Sequence, residues 1–98
     1  MVIVIAKLTV KQGKKAELFA LAQGVIAATR TEPECISYEL LDDPYDTGSC
    51  SFVERWTDKA ALERHLKTPH ISKWRQQSLP LLAAKTIIKL YQSEEIDL

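Results

Sequence analysis

The chain has 98 residues, 46% hydrophobic and 27% charged, and its thirteen basic side chains balance thirteen acidic ones. That length suits one domain over residues 1–98 and is too short for two cores, while the composition predicts a packed globule and excludes a disordered chain. Balanced charge gives no field to draw in nucleic acid or an anionic membrane, so neither is expected as a partner.

No apolar run approaches the roughly 20 residues of a membrane span, and the strand-like stretch 1–6 has no basic region before it, so neither a span nor a secretory leader is expected. Residues 2–10 are rich in β-branched side chains and end at Lys11, Gln12 and Gly13, which predicts a strand and a turn. From 14 to about 30, Ala16, Phe19, Ala20, Gln23, Ile26 and Ala27 recur at helical spacing, and Leu18, Leu21, Ala22 and Val25 widen the stripe. The pattern predicts a helix buried over much of its girth. Gly24 in its middle costs about 1 kcal/mol against Ala, so either backbone packs closely there or the site is tolerated.

Pro33 stops this helix, because the residue before proline is pushed toward extended geometry. Residues 35–41 alternate Ile36, Tyr38 and Leu40 with Cys35, Ser37 and Glu39, the period of a strand. The acidic loop from Asp42 to Gly48 lacks the spacing of a calcium loop and reads as a solvated turn. Residues 49–56 are strand-like again, so the two strands should form an antiparallel hairpin. Thr57 or Asp58 can cap a helix to about 67; Thr68 with Pro69 offers a second cap, and the next helix, about 70–82, places Ile71, Trp74, Ser78 and Leu82 on one face. Residues 84–93 alternate as a last strand, and 94–98 read as a loose tail.

The order β-α-β-β-α-α-β defines an α+β domain resembling the ferredoxin-like plan, an antiparallel sheet with helices on one face and the second helix broken in two. The first strand is apolar on both sides, with Val2, Val4, Ala6 and Leu8 on one and Ile3 and Ile5 on the other. Helices can cover one face, so a homodimer packing sheet against sheet is expected to cover the other. Cys35 and Cys50 show no C-x-x-C spacing and read as buried free thiols, which favours the cytoplasm.

His65 shares a helix face with Leu62 and Leu66 and should point inward, either as a core histidine or as a base in a pocket between helix and sheet. Glu54 and Trp56 share a strand face with Phe52. A carboxylate between two aromatics needs a partner, which could be Lys7, Arg30 or His65 itself. Trp56 and Trp74 can wall an apolar pocket or serve as plain core, and Tyr38 can add a phenol to the same wall. His70, at a helix start, reads as a surface residue. Its separation from His65 across a helix break is not metal spacing, and no phosphate loop or nucleophile motif occurs, so no metal and no cofactor are expected.

The chain resembles the antibiotic biosynthesis monooxygenase superfamily, small dimeric α/β barrel proteins that include cofactor-independent quinol and anthrone monooxygenases. The resemblance rests on Val10, Lys11, Gln12, Gly13, Lys14 and Phe19, on Glu32, Pro33, Glu34, Cys35 with Ser37, Tyr38 and Glu39, and on Phe52 through Trp56 followed by Ala61, Leu62, His65 and His70. The family usually carries glycine where Glu34 stands. The resemblance implies oxygenation of a quinol-like or polyphenolic aromatic by molecular oxygen, with no cofactor. In it, His65 would be the base or hydrogen-bonding group, Trp56 and Trp74 the apolar walls, and Tyr38 and Glu54 orienting groups. Since fold alone does not fix activity, an isomerase or other small-metabolite enzyme of this fold, or a ligand-binding or stress-response barrel, stands as the alternative.

Overall fold

The computed structural model describes residues 1–98. Its elements are β1 (Val2–Thr9), α1 (Lys15–Thr29), β2 (Cys35–Asp42), β3 (Ser49–Trp56), α2 (Lys59–His65), α3 (Pro69–Ser78), a 3-10 turn (Leu79–Leu81) and β4 (Ile87–Gln92). The four strands form one antiparallel sheet in the order β2-β3-β1-β4, the ferredoxin-like arrangement expected from the sequence. In the register Val2, Val4, Ala6 and Leu8 lie opposite Trp56, Glu54, Phe52 and Cys50, so one face of the sheet centre carries the core. Helices cover that face. On the other, Ile5, Leu41, Ile87 and Tyr91 are exposed.

The turn after β1 needs Gly13, whose φ of 75° lies in the left-handed region that side chains with a Cβ avoid. Helix α1 is not buried over most of its girth. Its buried residues are Leu18, Ala22, Val25 and Thr29, a stripe one position off the face the spacing suggests, with Phe19 and Ile26 only partly covered. Alanines and large apolar residues surround this helix on nearly every side, so periodicity could not locate the packed face. Gly24 is exposed and nothing lies within 4 Å of where a Cβ would stand, so it is a tolerated glycine.

Strand β2 departs from strict alternation. A register shift between Cys35 and Ser37 leaves Ile36 as an extra residue, 54% exposed, while Cys35 pairs with Trp56 and Tyr38 with Glu54. Cys35 therefore joins the Tyr38 face and Ile36 leaves it. Cys50 is buried, Cys35 is half-buried, and both thiols are free.

Helix α2 starts at Asp58, whose Oδ1 accepts the Ala61 N–H at 2.8 Å. It ends at His65 because Pro69 cannot continue the hydrogen-bond ladder. Thr68 stands at the N-cap position of α3 with Pro69 next, as expected, but its hydroxyl makes no cap bond and donates to the His65 carbonyl at 2.7 Å, closing the end of α2. Leu66 is 42% exposed and Ala61 takes its expected place on the inward face beside Leu62 and His65. In α3 the buried stripe is Ile71, Trp74 and Ser78, and it continues to Leu81, because the last turn tightens into a 3-10 geometry that turns Leu82 partly outward.

Candidate functional site

The helix break between α2 and α3 brings together residues that the sequence keeps apart. His65 ends α2, His70 is the second residue of α3, and their ring centroids lie 5.8 Å apart. Between them reaches Glu32, from the turn joining α1 to β2. Its Oε2 lies 2.7 Å from His65 Nδ1 and 2.8 Å from His70 Nε2. The turn that presents Glu32 is fixed at both ends, since the Glu32 N–H donates to the Thr29 carbonyl and the Cys35 N–H to that of Glu32.

His70 is thus not a simple surface residue; it is half-buried and engaged. Three ligand atoms from Glu32, His65 and His70 lie within 4.8 Å of one another, so the linear spacing of the histidines does not exclude a cation there. The same atoms already satisfy one another by hydrogen bonds. Glu32 is the member of this cluster that the sequence does not reveal, because its partner His65 lies 33 positions away and no local pattern marks it. Its neighbour Glu34 pairs with Arg64 on the surface, and no non-glycine residue has a positive φ, so the backbone there has no need of glycine.

His65 is 1% exposed, with its ring 4.5 Å from that of Trp56 and 5.4 Å from that of Tyr38. Burial pushes its pKa down. The Glu32 carboxylate opposes that shift by hydrogen bond and by charge, while His70 and Arg75 reinforce it. Neutral imidazole results, and with Nδ1–H donated to Glu32 the lone pair belongs to Nε2. The carboxylate that orients His65 is therefore Glu32 and not Glu54.

Glu54 has neither Lys7 nor Arg30 as a partner. Lys7 pairs in register with Ser51 on the uncovered sheet face, and Arg30 Nε donates to the Tyr38 carbonyl at 3.1 Å. The bond Glu54 makes is to Trp56, whose Nε1–H donates to its Oε1 at 3.0 Å. Burial pushes the Glu54 carboxyl up to about 7, against the lowering effect of that N–H and with a smaller rise from the charge of Glu32. The buried Tyr38 hydroxyl is likewise pushed well above its usual range, by burial first and then by Glu54.

A cavity of about 440 Å³ opens between β1 and β3 on one side and α2, α3 and the segment before β4 on the other. That volume lies within the range of small-molecule sites, about 300–1,000 Å³. Tyr38, Phe52, Glu54, His65 and Trp74 line it; Phe52 and Trp74 meet edge to face at 5.5 Å. Four of the five expected site residues are thus brought to one cavity. Trp56 is the exception, 1% exposed beneath His65 and absent from the lining, so it is a support for the imidazole and for Glu54 and not a wall. Glu32 and His70 also lie outside the lining, which puts the Nδ1 edge of His65 away from the cavity. Chemically the cavity combines an apolar slot for a flat ring, a neutral imidazole able to take a proton, and a carboxyl able to donate one near neutral pH.

No helix is long and apolar enough to cross a membrane. The sequence model of the family described as antibiotic biosynthesis monooxygenase matches residues 1–77. A Synechocystis sp. protein, named "Uncharacterized protein sll1783", is 38% identical over 94 residues, 96% of this chain, and the chain spans 64% of that relative's length. "Putative monooxygenase Rv0793" of Mycobacterium tuberculosis is 35% identical over 83% of this chain and 79% of its own. The solved structure of Rv0793 superposes with a TM-score of 0.87 at 29% identity, covering 97% of this chain and 96% of the other. A crystal structure of an antibiotic biosynthesis monooxygenase gives a TM-score of 0.88 at 28% identity, covering 97% of this chain and all of that one.

Proposed function

The chain belongs to the antibiotic biosynthesis monooxygenase family, and from that premise we propose that it is a cofactor-independent monooxygenase acting on a quinol-like or polyphenolic aromatic. The observation that carries the reading is the orientation of His65: its Nδ1 is committed to Glu32, and its other edge faces an aromatic-lined cavity. In the proposed reaction His65 Nε2 accepts the phenolic proton of a ring held among Tyr38, Phe52 and Trp74. The resulting carbanion-like substrate gives an electron to molecular oxygen, and the two radicals join as a hydroperoxide. Loss of water then leaves a carbonyl, so one oxygen atom stays on the substrate and the other departs as water. All the electrons come from the substrate carbon. His65 returns its proton to the peroxide, and Glu54, protonated for part of the time near pH 7, gives one to the oxygen that departs as water.

We take the active form to be a cytoplasmic homodimer. Exposed Ile5, Leu41, Ile87 and Tyr91 on the helix-free sheet face support sheet-to-sheet packing, and two free thiols suit a reducing compartment. Sedimentation at micromolar concentration should give a dimer; a stable monomer would remove that part. For the chemistry, oxygen uptake is measured with a panel of naphthoquinols and anthrones, with and without air. Uptake matched one to one by a product that has gained an oxygen atom, with no hydrogen peroxide released, supports the monooxygenase. Equal anaerobic turnover sinks it and favours an isomerase.

A further inference from the structure

The cavity that holds His65 is not uniform from floor to mouth. Its buried lining includes Tyr38, Phe52, Glu54 and Trp74, whereas two cations, Arg75 of α3 and Lys85 before β4, stand exposed where it meets solvent. Neither cation takes part in a salt bridge. Glu54 is the only acidic side chain in the lining, and it lies on the floor, 6% exposed. Two unpaired positive charges at the rim of a largely apolar slot make a field that favours an anion and holds it at one end.

We propose that the aromatic bound in this cavity carries a carboxylate, received by Arg75 and Lys85 at the rim, with its phenolic oxygen turned toward His65 and Glu54 on the floor. The proposal rests on the reading of the cavity as the aromatic site and names the substrate class as hydroxylated aromatic acids. Arg75 suits this end of the molecule because a guanidinium matches a carboxylate in a planar, two-bonded geometry. A second effect follows at the base. The charge of Arg75 disfavours protonation of His65 in the free protein, so an anion that neutralises it leaves His65 more basic once the ligand is bound.

The probe pair is 6-hydroxy-2-naphthoate and its methyl ester, alike in ring and hydroxyl and different in charge. Binding to the full chain is measured by titration calorimetry under argon. The acid should bind about tenfold more tightly than the ester at low salt, as two partly exposed charge pairs allow. Raising the salt should shrink that preference, and R75Q/K85Q should bring it below about threefold with ester affinity unchanged. Equal affinity for acid and ester, a preference that survives in R75Q/K85Q, or no binding of either overturns the proposal. Oxygen uptake with uncharged quinols is scored separately. A charge preference without uptake from any quinol removes the monooxygenase reading alone, and uptake without a charge preference removes the carboxylate alone.

Discussion

Two carboxylates of this molecule face the same problem and meet it differently. Glu32, in the turn before β2, sits between two imidazoles that satisfy one oxygen from both sides. Glu54, in the middle of β3, has one indole N–H, lies between Val4 and Tyr38 in the sheet and lines the cavity, 6% exposed. Glu32 is spent on holding two rings and fixing a tautomer. Glu54 is pushed toward its neutral form, because one hydrogen bond does not offset the loss of water around a carboxylate. One acid anchors its neighbours, and the other is left able to give up a proton near pH 7.

The largest expected effect tests what the anchored side is for. His65→Ala should lower turnover by about 10²–10⁴-fold, the range for a positioned general base, in the oxygen-uptake assay. Its circular dichroism should keep the native shape. Retained turnover would make His65 a core residue and leave the contrast purely structural.

Next in size is the pH dependence of stability on the Glu54 side. A carboxyl whose folded pKa is raised contributes stability that is fully present at low pH and is lost as pH rises toward the folded value. From a usual value near 4.5 to about 7, that loss falls between pH 4.5 and 7 and amounts to about 3 kcal/mol. Urea unfolding at pH 5 and pH 8 should show the decline in the wild type, and Glu54→Gln, which keeps an acceptor for the Trp56 N–H, should lack it. His65 acts in the opposite sense. Its lowered pKa stabilises the neutral form, so its contribution is present above the usual histidine value and lost as pH falls through the folded one.

A smaller effect sharpens the Glu32 side. Glu32→Ala, which removes the acceptor, should cost about 1–2 kcal/mol, as expected for losing two hydrogen bonds in a half-buried place. Nitrogen-15 spectra should show His65 losing its single Nδ1–H tautomer; an unchanged tautomer would mean that packing against Trp56 orients the ring instead. Asp58→Ala, removing the cap of the helix that carries His65, should cost about 1 kcal/mol and leave both carboxylates as they were.

The strands were legible because alternation is a local property. The run from Ser49 to Trp56 has the same limits in sequence and structure, and the inward direction of His65 follows from its place beside Leu62. What lay hidden depends on distance along the chain. Nothing near Glu32 marks it as the partner of a residue 33 positions on, and nothing near Glu54 shows that Arg30 is already committed to the Tyr38 carbonyl. The packed face of α1 was obscured for another reason: a helix apolar on nearly all sides carries too weak a periodic signal.

The extra residue at Ile36 links the two carboxylate regions. On one side of it lies the turn that aims Glu32; on the other, two positions on, Tyr38 lies opposite Glu54 in the sheet. Because a strand's facing repeats every two residues, a one-residue change in length reverses every side chain beyond it. Ile36 therefore acts like a frame-restoring insertion. A chain shortened by that one residue could keep Glu32 on its histidines or Tyr38 in the cavity, but it would have to shift one to hold the other.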